Sequence, residues 1–297
     1  MKAQLARAML WCMGALPFRL NRALGTGFGL LLWYLPNRSR IHSRANIDRC
    51  YPDRSPAWRR KLLRTSLIET GRTFTEAAWF WQRSQQRVLQ LVREVHGLEH
   101  VDQARHERRG IIFATPHIGA WELAGSYVAS CAPLTVLYRP PRIEALDRAI
   151  RRGRERLGSI PVPTDGSGIR ALHRALRKGE AIGVLPDQQP RGGQGVYAPF
   201  MGQPALTMTL LSRLAARSGA SVLFVAMLRR PEGGFAMHIW PAGEDIADDD
   251  ARVAATRINR ETERAIALAP AQYMWNYQRF RQRNAEKKAE AQPAMTE

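Results

Sequence analysis

The chain is short of acid, of lysine and of cysteine. Its 297 residues carry 26 acidic against 45 basic side chains, a formal net charge of +19. Only five of the basic residues are lysines (Lys2, Lys61, Lys178, Lys287 and Lys288), and the other 40 are arginines. The three cysteines, Cys12, Cys50 and Cys131, are odd in number, far apart and form no CxxC pair. That excludes a disulfide framework and a cysteine zinc site, and makes a reducing compartment the default expectation. There is no GxSxG elbow and no cysteine in a nucleophile-like setting, so an acyl-enzyme mechanism has no evident nucleophile. No apolar run reaches the roughly 20 residues that a bilayer-spanning helix takes. Hydrophobic residues at 45% and charged residues at 24% nevertheless leave enough to bury a core. Disorder, collagen-like repeats and a multi-span membrane protein are therefore excluded.

A surplus of positive charge calls for an acidic partner: nucleic acid, an anionic membrane surface or an acidic carrier. Arginine adds a planar fork that pairs with carboxylates and phosphates in a bidentate way. Residues 1–36 differ from the rest. Leu5 to Leu16 is a largely apolar run, and Ala23 to Pro36 is uncharged, with Phe28, Leu30, Leu31, Leu32, Trp33 and Tyr34. Pro17-Phe18-Arg19 follows the first run where a signal-peptide cleavage site needs small residues, so a cleaved leader is not expected. Trp11, Trp33 and Tyr34 suit a water–lipid boundary, and Arg19, Arg22, Arg38 and Arg40 suit anionic headgroups. The segment reads as a membrane-seated anchor, with or without full crossing; the alternative is a buried helical hairpin packed on the domain.

From Asn37 to Gln90 the pattern is helical and basic, with Trp58, Leu62, Leu63, Leu67, Ile68 and Phe74 at three- and four-residue steps. After Val95, short apolar runs alternate with amphipathic stretches. Strands are expected at 110–115, 134–138, near 160–163, 181–185, 221–228 and 235–240. Helices are expected at 120–130, about 143–157, 167–178, 205–218 and 251–268. Strands separated by helices of this length call for a mostly parallel α/β sheet. The last two strands, joined by Pro231-Glu-Gly-Gly234, read as an antiparallel hairpin. The domains expected are an anchor over 1–36, an α/β domain over 37–284 and a disordered polar tail over 285–297.

In open α/β sheets the chemistry collects at the carboxyl ends of strands. One such end is Thr115-Pro-His117-Ile-Gly-Ala-Trp-Glu122. Five steps of one continuous helix turn side chains about 140° apart. His117 and Glu122 can meet only if His117 lies in the turn before the helix and Glu122 in its first turn. That would set an imidazole beside a carboxylate that fixes its tautomer, the arrangement of a general base. HxxxxE is a weak pattern, and spacing alone favours a capping His with a solvated Glu. A second loaded strand end is Leu185-Pro-Asp187-Gln188-Gln189-Pro190, followed by Arg191-Gly-Gly-Gln-Gly195, a loop able to cradle an anion. It lacks the GK[ST] ending of a P-loop and opens no helix, which argues against nucleotide binding. His96-Gly-Leu-Glu99-His100 matches the HxxEH zinc pattern. That chemistry needs both histidines on one helical face plus a third ligand, and Gly97 interrupts the segment. The remaining histidines His42, His106, His173 and His238 read as surface or packed residues, and Asp248-Asp-Asp250 as the charged start of a helix.

Several patches then fall into register: His117-xxxx-Glu122, Tyr138-Arg139-Pro140, Arg154 in Gly153-Arg-Glu-Arg156, and Leu185-Pro-Asp187-Gln188. Ala198-Pro-Phe-Met-Gly202-x-Pro-Ala-Leu-Thr207, Tyr273-Met-Trp275-xxx-Arg279-Phe280 and, earlier, Ala45-Asn46-Ile47 with Cys50-Tyr51-Pro52 complete the set. In these, over nearly its whole length, the chain resembles the late (lauroyl/myristoyl) acyltransferases of lipid A biosynthesis, a branch of the lysophospholipid and glycerolphosphate acyltransferase superfamily. Tyr51, Tyr273 and Asn284 depart from the usual pattern, and none touches the His-x4-Glu box. The resemblance implies a glycerolphosphate acyltransferase-like fold, catalytic His117 and Glu122, and substrate-binding Arg139, Arg154, Asp187 and Gln188. It implies no metal and no cofactor, an acyl carrier protein as donor, a lipid A precursor as acceptor, and the cytoplasmic face of a bacterial inner membrane as location. Glu122 would then orient the imidazole of His117, and the two arginines would hold acceptor phosphates. Another glycolipid or phospholipid acceptor is the nearest alternative. A basic membrane-surface or nucleic-acid-binding protein without catalysis and a membrane esterase are the rival classes. No zinc-finger or RRM signature supports nucleic acid, which becomes the least favoured acidic partner.

Overall fold

The structure, a computed structural model, describes residues 2–141, 144–190 and 194–281; the polar tail expected over 285–297 lies outside them. Helices α1 (Lys2–Ala15), α2 (Phe18–Tyr34), α3 (Arg38–Cys50), α4 (Pro56–Phe80) and α5 (Gln85–Leu89) precede the sheet. Then follow β1 (Val92–His96), α6 (Leu98–Glu107), β2 (Ile111–Ala114), α7 (Trp121–Cys131), β3 (Leu134–Tyr138), α8 (Glu144–Arg156), β4 (Ser159–Pro163), α9 (Gly166–Arg177) and β5 (Ala181–Val184). The chain continues through β6 (Gly195–Phe200), β7 (Gln203–Met208), α10 (Leu210–Ser218), β8 (Ser221–Arg229), β9 (Phe235–Pro241) and α11 (Ala251–Leu268).

Seven strands form one sheet in the order β1-β9-β8-β2-β5-β3-β4. Pairings β8–β2–β5–β3–β4 are parallel, whereas β8 and β9 pair antiparallel and β1 runs with β9. The mostly parallel α/β sheet is thus as the alternation of elements implied, and the expected hairpin after Leu228 is present. All four residues of β2 are buried, because helices cover both faces. Period-2 alternation divides the core in two. Ile112, Ala114, Ile182, Val184, Val222 and Phe224 meet Leu172, Leu176, Leu211, Leu214 and Ile258 on one face. Ile111, Phe113, Leu134, Leu223, Val225 and Met227 meet Phe80, Val101, Leu123 and Val128 on the other.

Helix α6 and strand β6 are not among the expected elements, and one expected element is of another type. The stretch read as a helix over 205–218 begins as β7, paired with β6, and becomes helical only at Leu210. Met201 and Gly202 turn the hairpin with φ of 50° and 74°, the left-handed pair a tight hairpin needs. Ala205, Leu206 and Met208 have helix-favouring side chains, so local preference pointed the wrong way. What fixes the strand is a long-range joint. Buried Arg279 donates to the Leu206 carbonyl at 2.5 Å, to Thr207 Oγ1 at 2.9 Å and to Asn259 Oδ1 at 3.1 Å. Asn46 Nδ2 donates to the carbonyls of Trp275 at 2.7 Å and Tyr277 at 2.6 Å, tying α3 to the same segment. The motifs at 45–52, 198–207 and 273–280 therefore build one packed joint, and its last segment also reaches the loop after β2 through the bridge between Tyr273 and Ile118.

The N-terminal segment forms two helices, α1 and α2, each packed against α4. Asn21, Gly25, Gly29 and Trp33 form the buried face of α2. A Cβ on Gly29 would lie 2.3 Å from Ile68 Cα, and one on Gly71 2.2 Å from the Gly25 carbonyl oxygen, so α2 and α4 meet backbone to backbone. The opposite face of α2 leaves Leu20, Leu24, Phe28, Leu31 and Tyr34 exposed. Among the described residues, no helix is long and apolar enough to cross a membrane. Of the arginines expected at lipid, Arg19 and Arg38 are exposed. Arg22 instead turns inward to Glu76 at 3.4 Å, and Arg40 lies 5.1 Å over the Trp33 ring.

Candidate active site

The loop after β2 is held on every side. Thr115 N–H donates to the Val184 carbonyl at 3.0 Å, Met274 N–H to the His117 carbonyl at 2.9 Å, and Gly119 N–H to the Gln272 carbonyl at 3.0 Å. Ala120 N–H donates to the Met227 carbonyl at 2.8 Å, which docks the loop on β8. Gly119 has φ of +58°, and a Cβ there would lie 2.0 Å from the Met227 oxygen. No other residue fits that approach. His117 thus sits in the turn before α7 and Glu122 in its first turn, as their spacing required.

The two side chains do not pair. His117 Nδ1 lies 2.7 Å from Asp187 Oδ1, and the His117 backbone N–H donates to Asp187 Oδ2 at 2.9 Å. Asp187, on the loop after β5, is 3% exposed; both its oxygens reach His117, and the Tyr273 side chain is a further hydrogen-bond partner. Burial pushes its carboxyl up, but the charge of His117 and these hydrogen bonds outweigh burial and hold it below the ordinary carboxylate range. An ionised carboxylate only accepts, so Nδ1 carries the proton and Nε2 is left with its lone pair. The amide nitrogen of Gln188 lies 3.1 Å from that Nε2. Trp121 stands edge-on to the imidazole at 5.1 Å.

Glu122 belongs to a second pair. Arg154, on α8, donates to its two oxygens at 2.5 and 3.1 Å, and Trp81 Nε1 donates at 2.9 Å. Burial raises the Glu122 carboxyl, but Arg154, then Trp81 and the charge of His117, bring it below its ordinary value. The expectation that Glu122 fixes the imidazole tautomer is corrected: Arg154 takes both its oxygens, and Asp187 takes Nδ1. Sequence spacing could not find this, because His117 and Asp187 are brought together by the pairing of β2 with β5. Arg154 in turn lies 5.1 Å over the ring of Tyr138. Its full pairing with Glu122 leaves it less free for a phosphate than expected.

His117, Glu122, Arg139, Arg154 and Gln188 all line one cavity of about 1010 Å³ at the carboxyl ends of β2, β3 and β5. Arg139 is exposed at its wall. Much of the lining is apolar, including Leu137, Ile150, Ile169, Val184, Leu185 and Leu214. The Arg191–Gly193 part of the glycine-rich loop lies outside the described residues. His96 ends β1, Gly97 is left-handed and His100 lies in the following helix, so the HxxEH residues share no helical face. His96 stacks on His238 at 4.8 Å instead.

Sequence reasoning missed the support beneath the loop. Arg229, at the end of β8, is buried and donates to Glu76 Oε2 at 2.9 Å, to Thr73 Oγ1 at 2.8 Å and to the Gly119 carbonyl at 3.4 Å. Its Nη1 also lies 3.2 Å from Glu69. The available signal was Glu69, Thr73 and Glu76 on the apolar face of α4, at positions where a helix surface meets its core.

Comparison with known proteins gives the family. The family model described as bacterial lipid A biosynthesis acyltransferase matches residues 2–282. The lipid A biosynthesis lauroyltransferase of Escherichia coli (strain K12) is 31% identical over 280 residues, 93% of this chain and 90% of that protein. The palmitoleoyltransferase of the same organism is 30% identical over 282 residues, 93% of this chain and 89% of that protein. The myristoyltransferase, also from that strain, is 23% identical over 243 residues, 81% of this chain and 75% of that protein. The chain belongs to the bacterial lipid A biosynthesis acyltransferase family, and is an O-acyltransferase.

Proposed function

We propose that the chain moves a fatty acyl group from the thioester of acyl carrier protein to a hydroxyl of a phosphorylated lipid A precursor, by direct transfer. The observation that carries this is a buried Asp187 holding the His117 imidazole with Nε2 turned toward the cavity. The acceptor hydroxyl displaces the Gln188 amide from Nε2 and gives its proton to that nitrogen as its oxygen attacks the thioester carbonyl carbon. The tetrahedral intermediate collapses with cleavage of the C–S bond. The leaving sulfur takes the proton from Nε2, so an ester and a free thiol are formed and His117 is restored.

Asp187 fixes the tautomer and stabilises the imidazolium, as an acid does behind a serine-protease histidine, without supplying a nucleophile. Glu122 anchors Arg154 at the cavity wall beside His117. Arg139 and Arg154 contribute positive charge toward the acceptor. The apolar stripe Leu20, Leu24, Phe28, Leu31 and Tyr34, flanked by Arg19 and Arg38, supports interfacial seating on an anionic inner membrane from its cytoplasmic face.

The test is purified chain with acyl carrier protein bearing a radiolabelled acyl group, with and without lipid A precursor. Labelled glycolipid and no free fatty acid are expected, and His117→Ala should abolish the product while keeping the melting temperature. Release of fatty acid alone would make the chain an esterase. Near-normal transfer by His117→Ala would end the mechanism. Mass spectrometry of lipid A from cells lacking and re-expressing the chain should differ by one acyl group.

A further inference from the structure

The lining of the cavity carries charge that the proposed reaction has not used. Arg213 and Arg217 lie one turn apart on α10, and both line the cavity that holds His117. Residues four apart on a helix stand on one face, about 5–6 Å between Cβ atoms, close enough for two guanidinium groups to bracket one ligand. Both side chains are exposed. Among the described residues no carboxylate forms an ion pair with either, whereas many other arginines, Arg154, Arg229 and Arg257 among them, are paired. The two carboxylates nearest in the lining are already engaged: Glu122 by Arg154, and Asp165 as the N-cap of α9, accepting from Ser167 N–H at 2.8 Å and Gly168 N–H at 3.3 Å. Charge on this wall is therefore unneutralised, with His173 of α9 contributing a further ring to the same lining. The same cavity is lined by apolar Leu214, Ile169 and Val184.

We infer that Arg213 and Arg217 form a phosphate-binding subsite, which holds one end of a substrate whose apolar body and reacting group extend toward His117. A phosphate offers the acceptor oxygens that two arginine forks satisfy together, and a lone carboxylate would leave one fork unused. This rests on the reading of the cavity as an acyl-transfer site. Two phosphates meet the description: one on the sugar of the acceptor, and the diester of the phosphopantetheine arm that carries the thioester.

The experiment uses the full chain carrying His117→Ala, so that substrates bind without reacting, with and without Arg213→Gln/Arg217→Gln. The probes are a sugar-phosphate glycolipid in detergent micelles, the same glycolipid after phosphatase treatment, and an acyl-phosphopantetheine. The expected result is at least tenfold weaker binding of the phosphorylated glycolipid in the double variant, with the dephosphorylated form unchanged and the melting temperature kept. Weakening confined to acyl-phosphopantetheine supports the subsite and assigns it to the donor. Equal binding of all three probes with and without the arginines overturns it. Failure of wild-type chain to transfer acyl groups, with arginine-dependent phosphate binding intact, would sink the proposed reaction and leave the subsite standing.

Discussion

Asp187→Asn separates the two carboxylates of the site most sharply. The aspartate accepts from two donors of the same residue, the Nδ1–H and the backbone N–H of His117. The amide that replaces it has one accepting oxygen. The backbone N–H cannot change its character, so the oxygen must stay there, because a buried donor facing a donor costs about 1–3 kcal/mol. The new NH2 then faces Nδ1, which becomes an acceptor, and the ring proton moves to Nε2. The lone pair that should take the hydroxyl proton is gone. By analogy with amide exchange behind a serine-protease histidine, the rate should fall by about 10³–10⁴-fold, or ~4–5.5 kcal/mol in the barrier. Because the shape is kept, the loss should fall on kcat with KM little changed. The assay is steady-state transfer from labelled acyl carrier protein, joined to ¹⁵N NMR of the ring, with the His117 signal assigned by its absence in His117→Ala. A ring still protonated on Nδ1, or activity within about tenfold of wild type, would refute the reasoning.

Glu122→Gln and Arg154→Met should be strongly non-additive, the double variant losing little beyond the worse single one, with coupling of about 0.5–3 kcal/mol read from kcat/KM in a double-mutant cycle. Arg229→Met strands Glu69 and Glu76, although Arg72 and Arg22 still reach them; denaturant unfolding should show a loss near the lower end of about 3–5 kcal/mol. Gly119→Ala places a methyl against the Met227 oxygen at positive φ and should lower both melting temperature and kcat, by more than the ~1 kcal/mol of an unstrained exchange. The depressed carboxyls of Asp187 and Glu122 fix a sign for acid stability. Their contribution is whole above the unfolded values of about 4 and is lost as pH falls through the lower folded values, so Asp187→Asn should flatten the acid limb of an unfolding titration. Burial pushes the Cys50 thiol up to about 12, while Cys12 is exposed. A thiol reagent near neutral pH should therefore modify Cys12 in the native chain and reach Cys50 only after denaturation.

Much of this was legible without coordinates, because it depends on contacts close in sequence. Period-2 and period-3.6 patterning placed β2, β3, β5 and α7 within a residue or two of their observed limits, since each buries a face its own sequence defines. The strand-end position of His117 and the placing of Glu122 in the first turn of α7 followed from the same local logic. Charge and arginine content were equally available, but they called only for an acidic partner; it was the motifs in register that pointed to the lipid A acyltransferases. Tertiary structure decided whatever depends on which strands lie side by side. The parallel pairing of β2 with β5 brings Asp187, seventy positions away, under the imidazole and leaves Glu122 to Arg154. The packing of Arg279 against Leu206 and Thr207 holds as a strand a segment whose side chains favour a helix. Close backbone contact at Gly25, Gly29 and Gly71 lays α2 on α4, so its apolar residues divide between a buried face and an exposed one. A sequence carries its own periodicity along the chain. The partner of a buried charge is set by strand order and helix packing, and those exist only once the chain has folded.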